Sequence, residues 1–298
     1  MDRREALKLM GTGMVAAVMA KAAPSTYAAV LKDRAKDKKR LVFYFTATGN
    51  SLFVARQFSD SPLSIPQELK KESLVYEADE IGIVCPDYAG AIPKIVQEFV
   101  SKGTFKADYI FTVITYGNAC VNVAEWWDEY CTGKGLKNNY IEPILMVDNY
   151  LPVFDMNQQM SIDKHVDESL ARIVGDVSAH KDHIGEPEMG MFNKEMLKQM
   201  QDQHFSMTAE RLLELKPDRC VGCMTCEKVC PHKNFRLTSD GVTFSGECEF
   251  CLACIQNCPQ KALTLKSNWP GMPGERNSEA RYRHPDVSLN DIIRSNQQ

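Results

Sequence analysis

The amino-acid sequence predicts an α/β fold, a doubly wound parallel sheet, followed by a small α+β domain. Three observations lead to this prediction. Between residues 40 and 182, apolar runs alternate with helical patterns, as in parallel sheets that helices cover on both faces. Between residues 220 and 258, eight of the eleven cysteines recur at regular intervals. The length of 298 residues suits two domains, one of them small.

Residues 1–28 are expected to be an export signal outside the fold. Arg3 and Arg4 form a twin arginine with Leu7 and Lys8 close behind, as in twin-arginine signals. An apolar stretch at residues 9–20, too short for a permanent membrane span, precedes small residues in the order of a signal peptide. The alternative is a basic N-terminal helix. Export predicts a periplasmic or other extracytoplasmic location, and residues 29–40 are a charged lead-in.

The first predicted strand, residues 41–45, is a continuous apolar run that suits a strand buried on both faces. A loop rich in hydroxyl groups follows, and then a helical pattern. This arrangement directs N–H groups and hydroxyls at one point, which suits a phosphate, and the loop has no lysine of the Walker type. An ordinary helix cap is the alternative. The loop consists of Thr46, Ala47, Thr48, Gly49, Asn50 and Ser51.

Further strands are predicted at residues 74–76, 81–86, 109–115 and 141–147, with helices at 94–102, 121–130 and 163–180. In a sheet of order 2-1-3-4-5, the ligand lies beyond the carboxyl ends of the strands, at the switch between strands one and three. The loops after strands one, three and four are therefore candidates. The second and third of these loops contain Tyr88, Gly90, Tyr116, Gly117 and Asn118.

These loop residues suit a flat aromatic ligand. Tyr88 and Tyr116 offer aromatic faces, and Gly90 and Gly117 let the backbone approach closely. A peptide flip at Gly90 is a hypothesis. Cys120 is a small packing residue or, alternatively, a catalytic thiol.

Two cysteine runs superimpose with one constant offset, since 248 − 220 = 28 and 258 − 230 = 28. Both have the pattern C-x2-C-x2-C-x3-C-P, which is typical of two 4Fe–4S clusters, with the fourth cysteine of each run ligating the other cluster. Zinc ribbons need two pairs of cysteines for each ion, and a disulfide framework would not repeat every position. The predicted ligands are Cys220, Cys223, Cys226 and Cys258 for cluster one, and Cys248, Cys251, Cys254 and Cys230 for cluster two.

Residues 215–266 are thus expected to form the cluster domain, after a linker at 183–214. Methionines are frequent between residues 150 and 215, where they fill a helical core or a contact surface, or bind copper. The tail, residues 267–298, either wraps over the α/β domain or is disordered.

Together, the two halves resemble flavodoxin-like domains fused to a C-terminal bacterial-type ferredoxin with two 4Fe–4S clusters. The first loop matches the flavodoxin pattern Ser/Thr-x-Thr-Gly-Asn-Thr, apart from a Ser for Thr exchange. Pro86-x-Tyr88-x-Gly90, Thr115-Tyr116-Gly117 and the cysteine runs also match. Asn118 replaces an expected glycine, and an export signal is not typical of the group. The resemblance implies bound FMN and electron transfer.

Three hypotheses on function follow. The clusters exchange single electrons with FMN; or the chain is a ferredoxin carrier without flavin; or it is a subunit of an exported respiratory complex. No dinucleotide fingerprint is visible, so we expect a redox protein or a quinol-linked donor or acceptor as partner. A net charge of −4 without a basic stripe gives no support for nucleic acid. Because clusters are assembled inside the cell, export must follow folding.

Overall fold

The computed structural model describes residues 38–266 and 274–296. The predicted signal and most of the charged lead-in lie outside these ranges. No helix within them is both long enough and apolar enough to cross a membrane.

The α/β domain alternates strands and helices as the sequence pattern predicts. In chain order its elements are β1 (Arg40–Tyr44), α1 (Asn50–Ala55), β2 (Leu63–Ser64), α2 (Ile65–Glu68), β3 (Val75–Glu77), β4 (Glu80–Pro86), α3 (Lys94–Lys102), β5 (Thr104–Lys106), β6 (Tyr109–Tyr116), α4 (Val123–Gly133), β7 (Tyr140–Leu145), α5 (Met156–Met160), α6 (Val166–Ser178), β8 (His183–Ile184) and α7 (Lys194–Phe205).

A six-stranded parallel sheet lies at the centre, in the order β2-β1-β4-β6-β7-β8. Numbered among themselves, its first five strands follow the flavodoxin-like order 2-1-3-4-5, so the predicted fold class is confirmed. Nearly every residue of β4 and β6 is buried. Both faces of the sheet are therefore covered, and the carboxyl ends of β1, β4 and β6 meet at one edge.

The predicted second strand, residues 74–76, is wrong as a strand of the main sheet. These residues fall in β3, which pairs with β5 in a separate two-stranded sheet, while β2 lies beside β1. Val75 and Glu77 are exposed and only Tyr76 between them is buried. A segment with one wet face suits a small outer sheet and not a position that is buried on both faces.

The segment predicted as a linker, residues 183–214, is also folded. It contains β8, which adds the sixth strand, and the helix α7. Asn193 caps this helix, since its side chain accepts a hydrogen bond from the N–H of Met196. Leu197 and His204 are buried, so the helix packs on the rest of the molecule.

The cysteine-rich domain is small and has little regular structure. Its elements are α8 (Ala209–Leu212), β9 (Leu213–Leu215), α9 (Thr225–Lys228), β10 (Phe235–Thr238), β11 (Gly241–Phe244), α10 (Ala253–Gln256) and β12 (Leu263–Leu265). The strands β10 and β11 form an antiparallel hairpin, and β9 pairs antiparallel with β12. The second pairing brings the two ends of the domain together.

Residues 274–296 return to the α/β domain and end in the helix α11 (Leu289–Asn296). Ile292 of this helix belongs to the core of the α/β domain and is fully buried. Of the two expectations for the tail, wrapping over the α/β domain is the one that these residues follow.

Candidate functional site

The first set of predicted cluster ligands surrounds one cavity, which Cys220, Cys223, Cys226 and Cys258 line together. Three of these residues come from the first run and the fourth from the second. The structure thus brings together the four residues that the sequence pattern assigns to cluster one. Their role as ligands stays a prediction.

The second set lines another cavity, formed by Cys230, Cys248, Cys251 and Cys254. Within the described residues, no group of three or more His, Cys, Asp or Glu side chains lies close enough together to hold one metal ion.

The two runs also share their backbone conformation. Three pairs of residues, each 28 positions apart, have positive φ: Gly222 and Phe250, Met224 and Leu252, and Lys233 and Lys261. Left-handed residues other than glycine cost free energy and persist where the surrounding structure imposes them, often at functional sites. Because sequence and backbone repeat together, both runs are shaped for the same cofactor.

Glu249 joins the second run to the α/β domain. Its Oε1 accepts a hydrogen bond from the N–H of Ile95, at the start of α3, at 3.0 Å, and lies 3.0 Å from Nε2 of His232. The Glu249 side chain is almost fully buried. This contact fixes the loop of cluster two against the edge of the sheet where the flavodoxin-like ligand site is expected.

A larger cavity of about 380 Å³ lies at that edge, within the range of small-molecule sites. Its walls are the loops after β1, β4, β6 and β7, the helix α7, and part of the second cysteine run. The residues predicted from the sequence that line it are Thr46, Ala47, Thr48, Asn50, Ser51, Tyr88, Gly90, Tyr116, Gly117 and Asn118. Gly49 is not among the lining residues, because it faces the C-terminal segment.

The hydroxyl loop is held by hydrogen bonds and also presents N–H groups that no protein acceptor among the described residues uses. Gly49 N–H donates to Thr46 Oγ1 at 3.0 Å, and Thr48 Oγ1 accepts from Asn149 Nδ2 at 2.6 Å. Among the described residues, the N–H groups of Ala47 and Thr48 have no protein acceptor. A loop that lines a cavity with unpaired N–H groups and buried hydroxyls has the donor set that binds a phosphate.

Two carboxyl groups that line the cavity, those of Asp87 and Asp148, were not predicted from the sequence. Asp87 follows β4 and accepts the N–H of Gly90 at 2.7 Å. Burial raises the pKa of Asp87 to about 8, with nearby Asp148 adding to the effect, although hydrogen bonds from backbone N–H groups oppose it. Burial also raises the pKa of Asp148, although a hydrogen bond from the N–H of Tyr150 and the charge of Lys164 act to lower it. Asp87 can therefore hold a proton at neutral pH.

Tyr88 and Tyr116 lie on the cavity wall as predicted, but both are partly covered. The ring of Tyr88 lies 5.4 Å from that of His204 in α7. Burial raises the pKa of Tyr116 to about 12. Gly90 has a φ of 78°, which favours glycine, and a Cβ on Gly117 would come within 2.4 Å of the Asp148 side chain. Both positions therefore favour glycine, and the close approach of their backbone to a ligand stays a prediction.

The helix α7 forms a wall that the sequence analysis missed. It contributes Leu197, Met200, Gln203 and His204 to the cavity lining. Nε2 of His204 lies 3.1 Å from the carbonyl oxygen of Glu249, and burial lowers the pKa of His204 to about 4. The histidine is therefore neutral at neutral pH. The available signal was the spacing of Leu197, Met200 and His204, which places them on one helical face.

The remaining cysteines fit structural roles. Cys85 is fully buried in β4. Burial raises the pKa of Cys120 to about 11, and nearby carboxylates add to this effect. A thiol with a raised pKa is a poor nucleophile at neutral pH. Cys120 therefore fits the interpretation as a packing residue better than that of a catalytic thiol.

The large cavity and the cavity of cluster two share a wall. Cys251 and Leu252 line both. Cys220, Cys223, Cys226 and Cys258 line the third cavity only. The cavity of the second cysteine set therefore adjoins the large cavity, whereas that of the first set shares no lining residue with it.

Comparison with known proteins identifies the C-terminal part. The family model of the 4Fe-4S dicluster domain matches residues 212–270. This region is therefore a two-cluster domain of the kind that transfers electrons. A search of curated proteins gave no significant match.

Solved structures are similar to the α/β domain. A candidate flavoprotein from Bacteroides uniformis is 15% identical over 47% of this chain and 99% of its own, with a TM-score of 0.32. A second candidate flavoprotein, from Bacteroides eggerthii, is 16% identical over 47% of this chain and 99% of its own, with a TM-score of 0.28. Rubredoxin oxygen:oxidoreductase from Desulfovibrio gigas is 12% identical over 49% of this chain and 39% of its own, with a TM-score of 0.23.

Proposed function

We propose that this chain is an electron-transfer flavoprotein, in which two 4Fe–4S clusters exchange single electrons with FMN in the large cavity. The observation that carries the proposal is the wall that the cavity shares with cluster two, through Cys251. Bound FMN supplies a group that takes up electrons singly or in pairs. The residues around it bind, orient and shield it.

The hydroxyl loop is proposed to bind the FMN phosphate. The N–H groups of Ala47 and Thr48 and the hydroxyls of Thr46 and Ser51 are neutral donors on one side of the cavity. Neutral donors suit a phosphate that stays bound and is not transferred. The ring is proposed to lie between the loops after β4 and β6, where Tyr88, Gly90, Tyr116, Gly117 and Asn118 line the cavity.

Asp87 is proposed to hold a proton beside the ring. It lines the cavity at the carboxyl end of β4, and burial raises its pKa to about 8. A neutral carboxyl group can donate a hydrogen bond to a ring atom that gains electron density. His204 stays neutral and packs against Tyr88 and Phe250, so it adds no positive charge.

Electrons are proposed to pass through cluster one, cluster two and FMN in series. Cys223 of the first run is exposed, whereas Cys251 of the second is buried beside the large cavity. The exposed edge of cluster one is therefore the place for a redox protein or a quinol-linked partner to exchange electrons. Cluster two is the contact with the flavin.

Export by the twin-arginine route is part of the proposal. Its support is the pair Arg3 and Arg4 with the apolar stretch behind it. We expect Arg3→Lys with Arg4→Lys to leave the protein in the cytoplasm with full iron content. The fraction of protein in periplasmic and cytoplasmic extracts measures this, and unchanged export contradicts the signal.

The first test is iron, sulfide and extracted flavin per chain in protein purified without oxygen. We expect about eight irons, as two four-iron clusters require, and one FMN. A full iron content without bound flavin, even after FMN is added, contradicts the proposal that the chain is a flavoprotein. The remaining hypotheses are then a ferredoxin carrier or a subunit of a respiratory complex.

A paired variant locates the flavin. Thr48→Ala with Asn50→Ala is expected to weaken FMN binding at unchanged iron content. Thr132→Ala is the matched control, because this threonine of α4 is exposed and does not line the cavity. Equal FMN affinity in both variants would mean that the hydroxyl loop does not bind the phosphate.

A further inference from the structure

We propose that the C-terminal segment, residues 274–296, completes the phosphate site together with Asn257. These residues hold the carbonyl groups of the hydroxyl loop on the side away from the cavity, so that its N–H groups stay turned toward a phosphate. The inference rests on the proposed binding of FMN.

The loop carbonyls are held from outside the loop. Three consecutive oxygens accept hydrogen bonds from distant residues: Thr46 O from Asn296 Nδ2 at 2.9 Å, Ala47 O from Asn257 Nδ2 at 3.3 Å, and Thr48 O from the N–H of His284 at 2.8 Å. Asn296 lies 250 positions from Thr46 in the sequence. All three donors lie beyond residue 250, outside the chain segment that forms the parallel sheet.

The orientation of the N–H groups follows from peptide geometry. In a trans peptide the C=O and the following N–H point in opposite directions. When the carbonyls of Thr46 and Ala47 point to Asn296 and Asn257, the N–H groups of Ala47 and Thr48 point the other way. Ala47 and Thr48 line the cavity, and within the described residues these N–H groups have no protein acceptor.

Side-chain packing reinforces this position. A Cβ on Gly49 would come within 2.9 Å of the Cβ atoms of His284 and Val287, so the segment lies directly against the loop. The ring of His284 stacks on that of Phe53, with centroids 4.1 Å apart. The hydroxyl of Tyr282 donates to Asn50 Oδ1 at 2.6 Å and orients that side chain.

The segment is itself anchored. Ile292 and Asn296 are fully buried. The hydroxyl of Tyr44 in β1 lies 2.7 Å from Ser295 Oγ, and Arg56 pairs with Asp291 at 2.9 Å. A firmly packed segment can impose a position on the loop, which a loosely attached tail cannot do.

Asn257 extends the connection to the cluster domain. It directly precedes Cys258, the predicted fourth ligand of cluster one, and its Oδ1 accepts from Arg283 of the segment at 3.4 Å. The phosphate loop, the segment and the loop of cluster one therefore meet at one side chain.

The test replaces the two amides that hold the loop. In the double variant Asn257→Leu with Asn296→Leu, we expect the affinity for FMN to fall at least about tenfold. A loss of this size corresponds to the free energy of one to two hydrogen bonds. Riboflavin, which has no phosphate, is expected to bind as it does to the unaltered chain. In flavin-free protein, amide exchange at residues 46–51 is expected to become faster.

Two further variants complete the design. Arg294→Gln is the control within the segment, since this side chain is exposed and pairs with Asp291 rather than with the loop. Tyr282→Phe is a milder change that removes one hydroxyl and keeps the packing, and it serves if the double variant does not fold. It is expected to weaken FMN binding by a smaller factor.

The outcomes separate this inference from the proposed function. An unaltered chain that binds neither FMN nor riboflavin contradicts the proposed function. Normal binding by the unaltered chain, with FMN and riboflavin weakened equally in the variants or not at all, overturns the role of the segment. Unchanged amide exchange at residues 46–51 overturns it as well.

Discussion

The cluster domain and the large cavity are built in opposite ways. All eight predicted cluster ligands lie between residues 220 and 258, and two short runs with one repeated backbone conformation enclose the two cavities. The lining of the large cavity extends from Thr46 to Leu252 and includes both domains. A cofactor held by local turns can be recognised from spacing, whereas one held between elements depends on how the elements pack.

The two regions also differ in what holds them rigid. In the cluster runs, left-handed residues such as Met224 and Leu252 bend the chain around each cavity. At the hydroxyl loop, side chains from far along the chain fix the backbone, as Asn296 does for Thr46. Damage to the cluster domain should therefore be local, while damage to the cavity should follow from changes far from it.

The largest expected effect separates the two clusters. Cys258→Ala should remove cluster one, although the residue lies in the second run, and lower the iron content from about eight to about four atoms. Iron analysis and low-temperature paramagnetic resonance measure the loss. Cys131→Ala, a buried cysteine outside both runs, is the control and should keep all the iron. Selective loss of cluster two reverses the ligand assignment.

A smaller effect is expected at the cavity. Gly117→Ala places a Cβ 2.4 Å from Asp148 and should push apart the loops after β6 and β7, at a cost of about 1–3 kcal/mol. FMN binding should weaken while the iron content stays full. In Gly133→Ala the new Cβ meets nothing within 4 Å, so FMN binding should be unchanged. Thermal unfolding and flavin titration compare the two, and equal flavin affinities contradict the predicted ring position.

A further expected effect concerns pH. Since burial raises the pKa of Asp87 from 3.8 to about 8, the folded chain keeps a proton there that the unfolded chain releases above pH 3.8. The contribution of this side chain to the free energy of unfolding should therefore fall as pH rises from about 4 to about 8. Asp87→Asn removes this contribution, and the oxygen of the new side-chain amide can still accept the Gly90 N–H.

Thermal unfolding at several pH values checks the prediction. The melting temperature of Asp87→Asn should exceed that of the unaltered chain at about pH 8 and approach it at about pH 4. A difference that is the same at every pH contradicts the neutral form of Asp87 in the folded chain.

Much of the fold could be predicted because its signals are local. The buried runs of β1, β4 and β6 and the amphipathic pattern of α3 match the expected positions closely. The position of β2 could not be predicted, because a two-residue strand has no periodic signal. The helix α7 was missed since its polar, methionine-rich sequence resembles a linker, and its function as a wall depends on its partners.

By itself, the sequence determined the alternation of strands and helices, the hydroxyl loop and the grouping of the cysteines. Each depends on residues that are neighbours in the chain, where spacing alone limits the geometry. Only the tertiary structure decided that Asp87 and Asp148 line one cavity, that Cys251 lines both this cavity and that of the second cysteine set, and that residues 274–296 contact the hydroxyl loop. These contacts join residues up to 250 positions apart, and no local pattern encodes which distant side chains will meet.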